Sequence, residues 1–534
     1  MFALLVGRVR VGSVTCSGAP MNDRGLRALI KLLMLLGVVC QQDDDFSCSS
    51  FHSLALALTE SKSCTITAPE IVIRHELHVR AGTIFSVDST IDSVLSGNGS
   101  SFRLFSVGNG SSLIIRGLTL AHAHCRMTHD CFGGAIFASH GSFLTLDRVR
   151  VSDSSAISGG ALYALDSRVV ASGCTFESNS ASDHGGAITT IGSTVVATDC
   201  LLTSNKVGRF KYTRSKGGAI YAEHSSVVTT ACTFDSNSAS YSGGAIHAVG
   251  SNVVTDRCNM SLNEGYFYGG ALFATADSNI TTSDCEMTSN SGHWGGAVAS
   301  AYRSTVTVID CKISSNAATS GGAFYAYGYS TLISTGCVMT SNFASGGDSS
   351  SGGGGALLAE GSSNVTMTHC TMISNSAYFS GGAILSREGS FTSVSNCTAL
   401  SNIAMLGGGG AFSSGDATGE AGLYANDGDD GIVTVILADS TMASNSATSG
   451  GALYLSSSAW QIVGCSFLEN SAVVSLVLVV AAQVSEGVIT RCILRLVVCL
   501  TIAVGGRTNR WTLQSRSRAG DSFRGQSRKG ALLL

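Results

Sequence analysis

The chain has 534 residues, of which 64 are Gly and only 2 are Pro, and charged residues account for 13%. Hydrophobic residues make up 44%, which excludes a chain that is disordered over most of its length. The formal net charge of -4 excludes a generally basic protein that coats nucleic acid, and the absence of a three-residue Gly period excludes collagen.

Residues 1–40 are predicted to be an upstream extension followed by a secretory signal peptide, and Met21 is an alternative start. Basic residues precede an apolar run from Leu32 to Val39, which is the pattern of such a signal. The alternative for the same run is a buried or membrane-anchor helix. The basic residues are Arg24, Arg27 and Lys31.

Residues 41–130 are predicted to form an N-terminal cap and irregular first coils. Short apolar runs at 71–73, 102–107 and 113–115 predict strands, and Phe51–Leu58 predicts a short helix that covers the end of the core. In a secreted protein, disulfides are expected between Cys48 and Cys64 and between Cys125 and Cys131.

A repeat dominates residues 131–472. The tripeptide Gly-Gly-Ala occurs twelve times, mostly 26 to 28 residues apart, and a large apolar residue follows each copy. A fixed period of this size indicates stacked units of one structural type. The first Gly of each copy is at 133, 159, 185, 217, 243, 269, 295, 321, 354, 381, 409 and 450.

Two further columns keep the same register. A Cys lies 15 or 16 residues after most Gly pairs and an Asn follows five residues later; one coil has Ser440 in place of the Cys and keeps Asn445. The cysteines are Cys174, Cys200, Cys232, Cys258, Cys285, Cys311, Cys337, Cys370, Cys397 and Cys465. The other asparagines are Asn179, Asn205, Asn237, Asn263, Asn290, Asn316, Asn342, Asn375, Asn402 and Asn470.

Apolar residues alternate with period two around these columns, which predicts strands with one buried face. Together, period and pattern predict an all-β fold: a right-handed parallel β-helix solenoid with about 12 regular coils of ~26 residues, each with about three strands. The Gly pairs should form tight corners, the Asn column a hydrogen-bonded amide ladder, and the Cys column buried thiols rather than cross-coil disulfides.

The C-terminal 62 residues fall into two segments with different composition. Residues 473–505 are apolar and are predicted to be either a membrane anchor or an end cap, and residues 506–534 are predicted to be a basic disordered tail. The alternative for the tail is sequence that does not belong to the natural protein.

The motif pair resembles the repeats of chlamydial polymorphic outer-membrane proteins, within the pectin-lyase-like β-helix superfamily. The first motif is complete at Gly133–Ile136 and Gly185–Ile188, and the Phe-x-x-Asn motif is complete at Phe176–Asn179, Phe234–Asn237 and Phe467–Asn470. The resemblance covers about residues 130–472. It implies a β-helical passenger at the cell surface, often adhesive.

Two carboxylates are the candidate catalytic pair. If each Cys points inward, Asp284 and Asp310 point outward on adjacent coils, where paired carboxylates could hydrolyse or cleave a polysaccharide. The alternative is a solvated face with a Glu286–Lys312 ion pair across the coils. We favour the alternative, and predict no catalytic residues.

An aromatic stripe and a basic loop are the candidate binding sites. The position after the buried aliphatic residue should face outward and form a stripe that contacts sugars or proteins, or simply stacks across coils: Phe137, Tyr163, Tyr221, Phe273 and Tyr325. The insertion at 206–216 could bind acidic glycans or phosphates or be a plain exposed loop; its candidate residues are Arg209, Lys211, Tyr212 and Arg214.

The remaining features indicate no further chemistry. Asp427, Asp429 and Asp430 lack the full spacing of a calcium loop, and the histidines are scattered, so we expect neither a metal nor a cofactor. The sequence therefore favours a secreted or cell-surface, non-catalytic repeat protein with an adhesive or structural role, whose partners are surface glycans or host and matrix proteins. A polysaccharide-active lyase or hydrolase is the alternative.

Overall fold

The computed structural model describes residues 46–125, 131–208, 214–347, 352–414, 433–456 and 458–473, and the backbone of several strands between 477 and 524. The chain divides after Asp45, and every described residue belongs to the second unit. The predictions for residues 1–40 lie outside the described residues. The described chain winds into a parallel β-solenoid in which successive repeats pair strand on strand.

The first sheet has 15 strands, and in each regular coil its strand starts directly after the Gly-Gly-Ala tripeptide. Its strands are Leu77–Val79, Phe105–Val107, Ile136–Ser139, Leu162–Leu165, Ile188–Ile191, Ile220–Glu223, Ile246–Val249, Leu272–Thr275, Val298–Ser300, Phe324–Ala326, Leu357–Ala359, Ile384–Ser386, Phe412–Ser414, Leu453–Ser456 and Val477–Val480.

The second sheet has 32 strands, because two strands of each coil join it on either side of the corner that precedes the Cys. The strands before that corner are Phe143–Asp147, Arg168–Ser172, Thr194–Thr198, Ser226–Thr230, Asn252–Asp256, Asn279–Ser283, Thr305–Ile309, Thr331–Thr335, Asn364–Thr368, Phe391–Ser395, Val433–Ala438, Ser458–Val463 and Gly487–Thr490. The strands after it are Arg150–Ser152, Thr175–Glu177, Leu201–Thr203, Thr233–Asp235, Asn259–Ser261, Glu286–Thr288, Lys312–Ser314, Val338–Thr340, Thr371–Ile373, Thr398–Leu400, Thr441–Ala443, Ser466–Leu468 and Ile493–Arg495. The N-terminal members are Phe46–Cys48, Cys64–Ile66, Glu70–Val72, Ile84–Ser100 and Ser112–Ala123, and Phe523–Arg524 pairs antiparallel to Gly487–Thr490.

The third sheet has 12 strands and closes each coil between the Asn and the next Gly pair. Its strands are Ser155–Ser158, Ser180–His184, Lys206–Val207, Ser238–Ala239, Glu264–Tyr268, Ser291–Trp294, Ala317–Ser320, Phe343–Ala344, Ser376–Ala377, Ile403–Gly408, Ser446–Ser449 and Ser471–Ala472. Val498–Val504 and Arg507–Leu513 form a separate antiparallel pair.

Each repeat is thus one coil, as predicted, but it contains four strands in three sheets rather than about three strands. The register is direct: Ile188 pairs with Ile220, and Phe176 pairs with Leu202. One continuous apolar core runs inside the coils, so each coil buries its inner face only by stacking on its neighbours.

The Gly pairs form the corner between the third and first sheets. Gly269 has a φ of +55°, and a Cβ there would lie 2.1 Å from the Leu272 carbonyl oxygen. A Cβ on Gly270 would lie 2.1 Å from the carbonyl oxygen of Gly296, which is the same glycine in the next coil. Only residues without a side chain fit at both positions, because the obstacles are backbone atoms.

The Asn column forms the predicted ladder inside the core. The Asn237 Nδ2 donates to Asn263 Oδ1 at 3.0 Å and to the carbonyl oxygen of Leu202 at 2.9 Å, and its backbone N–H donates to the same Oδ1 at 3.1 Å. The left-handed residue of this turn is the one before the Asn, such as Ser236 with a φ of 54°, and not the Asn itself. The ladder is therefore set by hydrogen bonding rather than by the tolerance of Asn for positive φ.

The ten cysteines of the Cys column carry buried thiols and no disulfides, as predicted. Each thiol donates to a nearby carbonyl, as Cys285 does to Ser283 at 3.1 Å, and some accept a backbone N–H from the preceding coil, as Cys285 does from Cys258 at 3.2 Å. Where Ser440 replaces Cys, its hydroxyl accepts the Cys397 N–H at 3.1 Å, so the register continues.

The N-terminal segment contains the predicted helix, which extends to Glu60 rather than Leu58, and both predicted disulfides. The helix Phe51–Glu60 begins at Ser50, which caps it by accepting from the Ser53 N–H, and it buries Leu54, Ala57 and Leu58. Disulfides join Cys48 to Cys64 and Cys125 to Cys131. Within the described part of the chain, no helix has the length and hydropathy needed to cross a membrane.

Candidate functional site

The outer face of the first sheet is buried, which corrects the expectation of an exposed aromatic stripe. Tyr163, Tyr221, Phe273 and Tyr325 do point away from the core, but they are only 3–7% exposed, and Phe137 is half-buried. The rings stack across coils, as Phe137 does on Tyr163 with centroids 5.7 Å apart. Alternation along a strand predicts which side of the sheet a residue faces, but not what covers that side.

The cover comes from the residue immediately before each Gly pair. These residues form their own register column, in which His184 pairs with Lys216 and Tyr268 pairs with Trp294. Where the column holds a ring, that ring lies against the first sheet: His184 stacks on Tyr221 with centroids 4.4 Å apart, and Tyr268 stacks on Phe273 at 4.9 Å. The tight glycine corner thus brings the end of the third sheet over the outer face of the first.

One assembly of rings, hereafter the aromatic cluster, spans the coils between 268 and 327. Tyr268 and Trp294 stack at 4.9 Å, Trp294 and Tyr325 lie 6.3 Å apart, and Tyr325 and Tyr327 lie 6.1 Å apart with planes 7° apart. Tyr302 meets Tyr327 edge-on at 5.9 Å and is 55% exposed. The cluster is Tyr268, Phe273, Trp294, Tyr302, Tyr325 and Tyr327.

Tyr268, Trp294 and Tyr327 are partly exposed, so the aromatic cluster has a buried base and an accessible rim. Burial, followed by the charges of nearby tyrosines, raises the pKa of Tyr268 to about 12, and burial also raises the pKa of Tyr327. The phenols therefore stay protonated and can donate hydrogen bonds across the physiological pH range.

A buried ion pair supports one end of the aromatic cluster. Glu360 is 6% exposed, and its Oε1 accepts from the Tyr325 hydroxyl at 2.5 Å while its Oε2 accepts from Arg387 Nε at 2.6 Å. Burial would lower the pKa of Arg387, but the charge and hydrogen bond of Glu360 outweigh it and the net pKa is raised. The Arg387 guanidinium therefore stays charged, and the contacts of Glu360 with Arg387 and with the Tyr325 hydroxyl fix the Tyr325 ring in place.

A second polar group lies on the same face, near Tyr221. The Tyr221 hydroxyl donates to Glu223 at 3.0 Å, and His247 Nδ1 lies 2.8 Å from the Ser242 hydroxyl. Burial, and then the charge of Lys216, holds the pKa of His247 well below its ordinary value. Because His247 is fully buried and neutral, it is suited to packing rather than to proton transfer with solvent.

The carboxylates Asp284 and Asp310 occupy one column, directly before Cys285 and Cys311. Both have a φ of 51° and both are exposed on the corner within the second sheet. Arg257 lies in the coil before Asp284, and Asp310 leans over Gly336 in the coil after it. The column therefore places the two carboxylates on adjacent coils, in solvent at an exposed turn.

Several candidate residues fall outside the described residues: Arg209, Lys211 and Tyr212 of the basic loop, and Asp427, Asp429 and Asp430. Arg214, at the end of the basic loop, is described and exposed. Among the described residues, no group of three or more His, Cys, Asp or Glu is placed to hold a metal ion.

The residues that the sequence analysis missed are those that cover the first sheet, together with Glu360 and Arg387. The signal was present in the sequence as aromatic residues abutting the glycine corner, at 266–268 before Gly269 and at 293–294 before Gly295. Chemically, partly exposed rings with protonated hydroxyls on a rigid base offer an apolar surface with hydrogen-bonding edges.

Comparison with known proteins identifies the repeat. Residues 209–357 match the model of the right-handed β-helix region, and residues 173–190 match the Chlamydia polymorphic membrane protein repeat. No curated protein matches the chain. Among solved structures, the alginate lyase AlyF-OU02 in complex with G6 is 11% identical, with 87% of this chain and 90% of that chain covered and a TM-score of 0.32. The PL6 family alginate lyase AlyGC is 8% identical, with 84% of this chain and 96% of that chain covered and a TM-score of 0.23.

Proposed function

Because the chain carries the Chlamydia polymorphic membrane protein repeat on a right-handed β-helix, we propose that it is a secreted or cell-surface repeat protein with a non-catalytic, adhesive role. Surface glycans are the partners that the aromatic cluster suits best. The observation that carries the proposal is this cluster, whose rim is exposed at Tyr302 and half-exposed at Trp294 and Tyr327 on a rigid scaffold.

Sugar rings combine apolar C–H faces with hydroxyl edges, and aromatic rings that carry hydroxyl groups complement both. The Asn ladder and the apolar core inside the coils support the same role. They fix the coils that carry the cluster, so its surface needs no rearrangement on binding. A purely structural role in a wall or coat uses the same scaffold without a ligand.

The test is binding of the full chain to a glycan array and to purified matrix proteins, with Tyr302→Ala and Trp294→Phe as variants. The proposal predicts saturable glycan binding that weakens at least tenfold in both variants. The matched control is Phe143→Ala, since Phe143 is an aromatic residue of the second sheet that is 51% exposed. Surface labelling of intact cells from the native source tests the location independently.

Binding of matrix proteins without glycans would replace the proposed partner, and the absence of binding to either class would contradict adhesion and favour a structural role. Turnover of a polysaccharide that is lost in Asp310→Asn would contradict the non-catalytic proposal.

A further inference from the structure

The described asparagines form two populations. Eleven are the ladder residues, which are 0–3% exposed. Seven others have a described side chain, and six of these begin an Asn-x-Ser/Thr sequon, the exception being Asn252. All six are exposed: Asn98, Asn109, Asn259, Asn279, Asn364 and Asn396.

The fold explains why the ladder contributes no sequon. Two residues after each ladder Asn, the chain needs a small or apolar inward residue, as at Ala239 after Asn237. In the second sheet, the residue two positions after an outward Asn also points outward, because residues two apart share one face of a strand, so it can be Ser or Thr. Asn279 and Thr281 share that face, as do Asn364 and Thr366.

Five of the six sequons lie in or next to strands of the second sheet, and Asn109 lies at the corner between the first and second sheets. Asn259, Asn279 and Asn364 are in strands of the second sheet. Asn98, Asn109 and Asn396 lie at positions with φ of 50–52° within that sheet or at its border. In the described chain, no sequon lies within a strand of the first or third sheet, which hold Tyr268, Phe273, Trp294 and Tyr325 of the aromatic cluster.

We propose that the outer face of the second sheet is N-glycosylated, so that the native protein carries sugars on one side and keeps the aromatic cluster uncovered on another. The inference rests on the secretory route of the proposed function. The disulfides Cys48–Cys64 and Cys125–Cys131 fit the oxidising compartments of that route.

The modification needs a polyprenyl-diphosphate-linked oligosaccharide and its transferase as co-reactants. The Asn Nδ2 forms a bond to the anomeric carbon of the sugar, the bond from that carbon to the diphosphate oxygen breaks, and one amide proton passes to a base of the transferase. No oxidant or reductant is involved. Exposed Asn side chains can carry the product after folding, whereas ladder asparagines cannot, because their amides are bonded in the core.

The test is peptide mapping of the full-length protein from its native source, after amidase release of N-glycans in ¹⁸O-water, with the cysteine redox state measured in the same sample. The inference predicts ¹⁸O-labelled Asp at Asn259, Asn279 and Asn364. In the full chain returned to its native host, Thr281→Ala should lose one glycan, whereas Thr307→Ala should lose none, since Thr307 pairs with Thr281 in the next coil but belongs to no sequon.

An exported protein with its disulfides formed and with every sequon unmodified would overturn this inference and leave the proposed function intact. A chain retained inside the cell with reduced cysteines would overturn both.

Discussion

The amide of Asn237 donates to Asn263 across 3.0 Å, and both side chains are fully buried although 26 residues separate them in the chain. The same bond recurs from coil to coil, as Asn263 donates to Asn290 and Asn290 to Asn316, each at 3.0 Å. The ladder converts a sequence period into a spatial one, because each amide is satisfied only when the next coil is in register.

Asn263→Ala should lower the free energy of unfolding of the full chain by ~2–4 kcal/mol, since it removes bonds on both sides and leaves buried groups without partners. Denaturant unfolding measures the change. The control is Asn252→Ala, an exposed residue of the same coil, with an expected change within ~0.5 kcal/mol. Equal effects of the two substitutions would show that the ladder contributes nothing beyond the loss of a polar side chain.

Gly270→Ala should prevent the coils from stacking, because the new Cβ would lie 2.1 Å from the backbone oxygen of Gly296. We expect loss of soluble folded protein or a large drop in melting temperature. Gly110→Ala provides the comparison, since Gly110 also sits at a corner and has a positive φ but open space around the Cβ. Its expected cost is ~1 kcal/mol from backbone strain. A folded Gly270→Ala protein of normal stability would contradict the glycine corner.

Ala399→Met should stabilise the protein by ~1 kcal/mol, because Ala399 is the small residue between Met372 and Met442 in its column and borders a void that both line. Ala248→Met is the matched control: Ala248 is fully buried in the first sheet, so overpacking should destabilise by ~1–3 kcal/mol. Thermal melts of both variants distinguish the sites, and destabilisation of both would show that the void cannot take a longer side chain.

The thiols of the Cys column should not react with alkylating reagents in the native protein and should all react after unfolding. Hydrogen bonding to neighbouring thiols, together with burial, raises the pKa of Cys232 and Cys311, so neither is a thiolate at neutral pH. Mass spectrometry of alkylated peptides reads each position separately. Rapid native labelling of Cys232 or Cys311 would contradict their burial.

Stability should fall as the pH drops below ~6.5, in part because of His247. Burial and the charge of Lys216 hold its pKa well below the ordinary value, so the unfolded chain takes up a proton that the folded chain does not. The contribution is at most ~1.4 kcal/mol per pH unit for this residue. In His247→Phe the loss between pH 7.5 and pH 5 should be smaller, as read from urea midpoints.

His78 provides the control for that experiment, because its side chain is 72% exposed. His78→Gln should change the pH dependence of the urea midpoint less than His247→Phe does. An equal or smaller effect of His247→Phe would assign the acid sensitivity to other groups.

The coil length, the Asn ladder, the buried Cys column, the capping helix and the two disulfides were predictable. Each depends on residues whose spacing repeats or whose type permits few roles. The aromatic stripe was not, since the pattern at Tyr221 and Phe273 indicates only that these rings face away from the core. The rings that cover them, His184 and Tyr268, lie at the end of a third-sheet strand. Where that strand ends relative to the first sheet depends on the corner at the Gly pair. Glu360 and Arg387 have no repeating counterpart, so their pairing emerges only from the stacked coils.

The central claim is that each repeat is one coil stacked directly on the last, which brings the aromatic cluster together from separate repeats. Genetically encoded spin labels at Thr198 and Thr335 test it, since these residues occupy one register column five coils apart. At ~4.8 Å per coil, pulsed electron spin resonance should give a narrow distribution of about 24 Å between backbone positions, although 137 residues separate them. A broad distribution, or one centred beyond about 40 Å, would contradict the stacked solenoid.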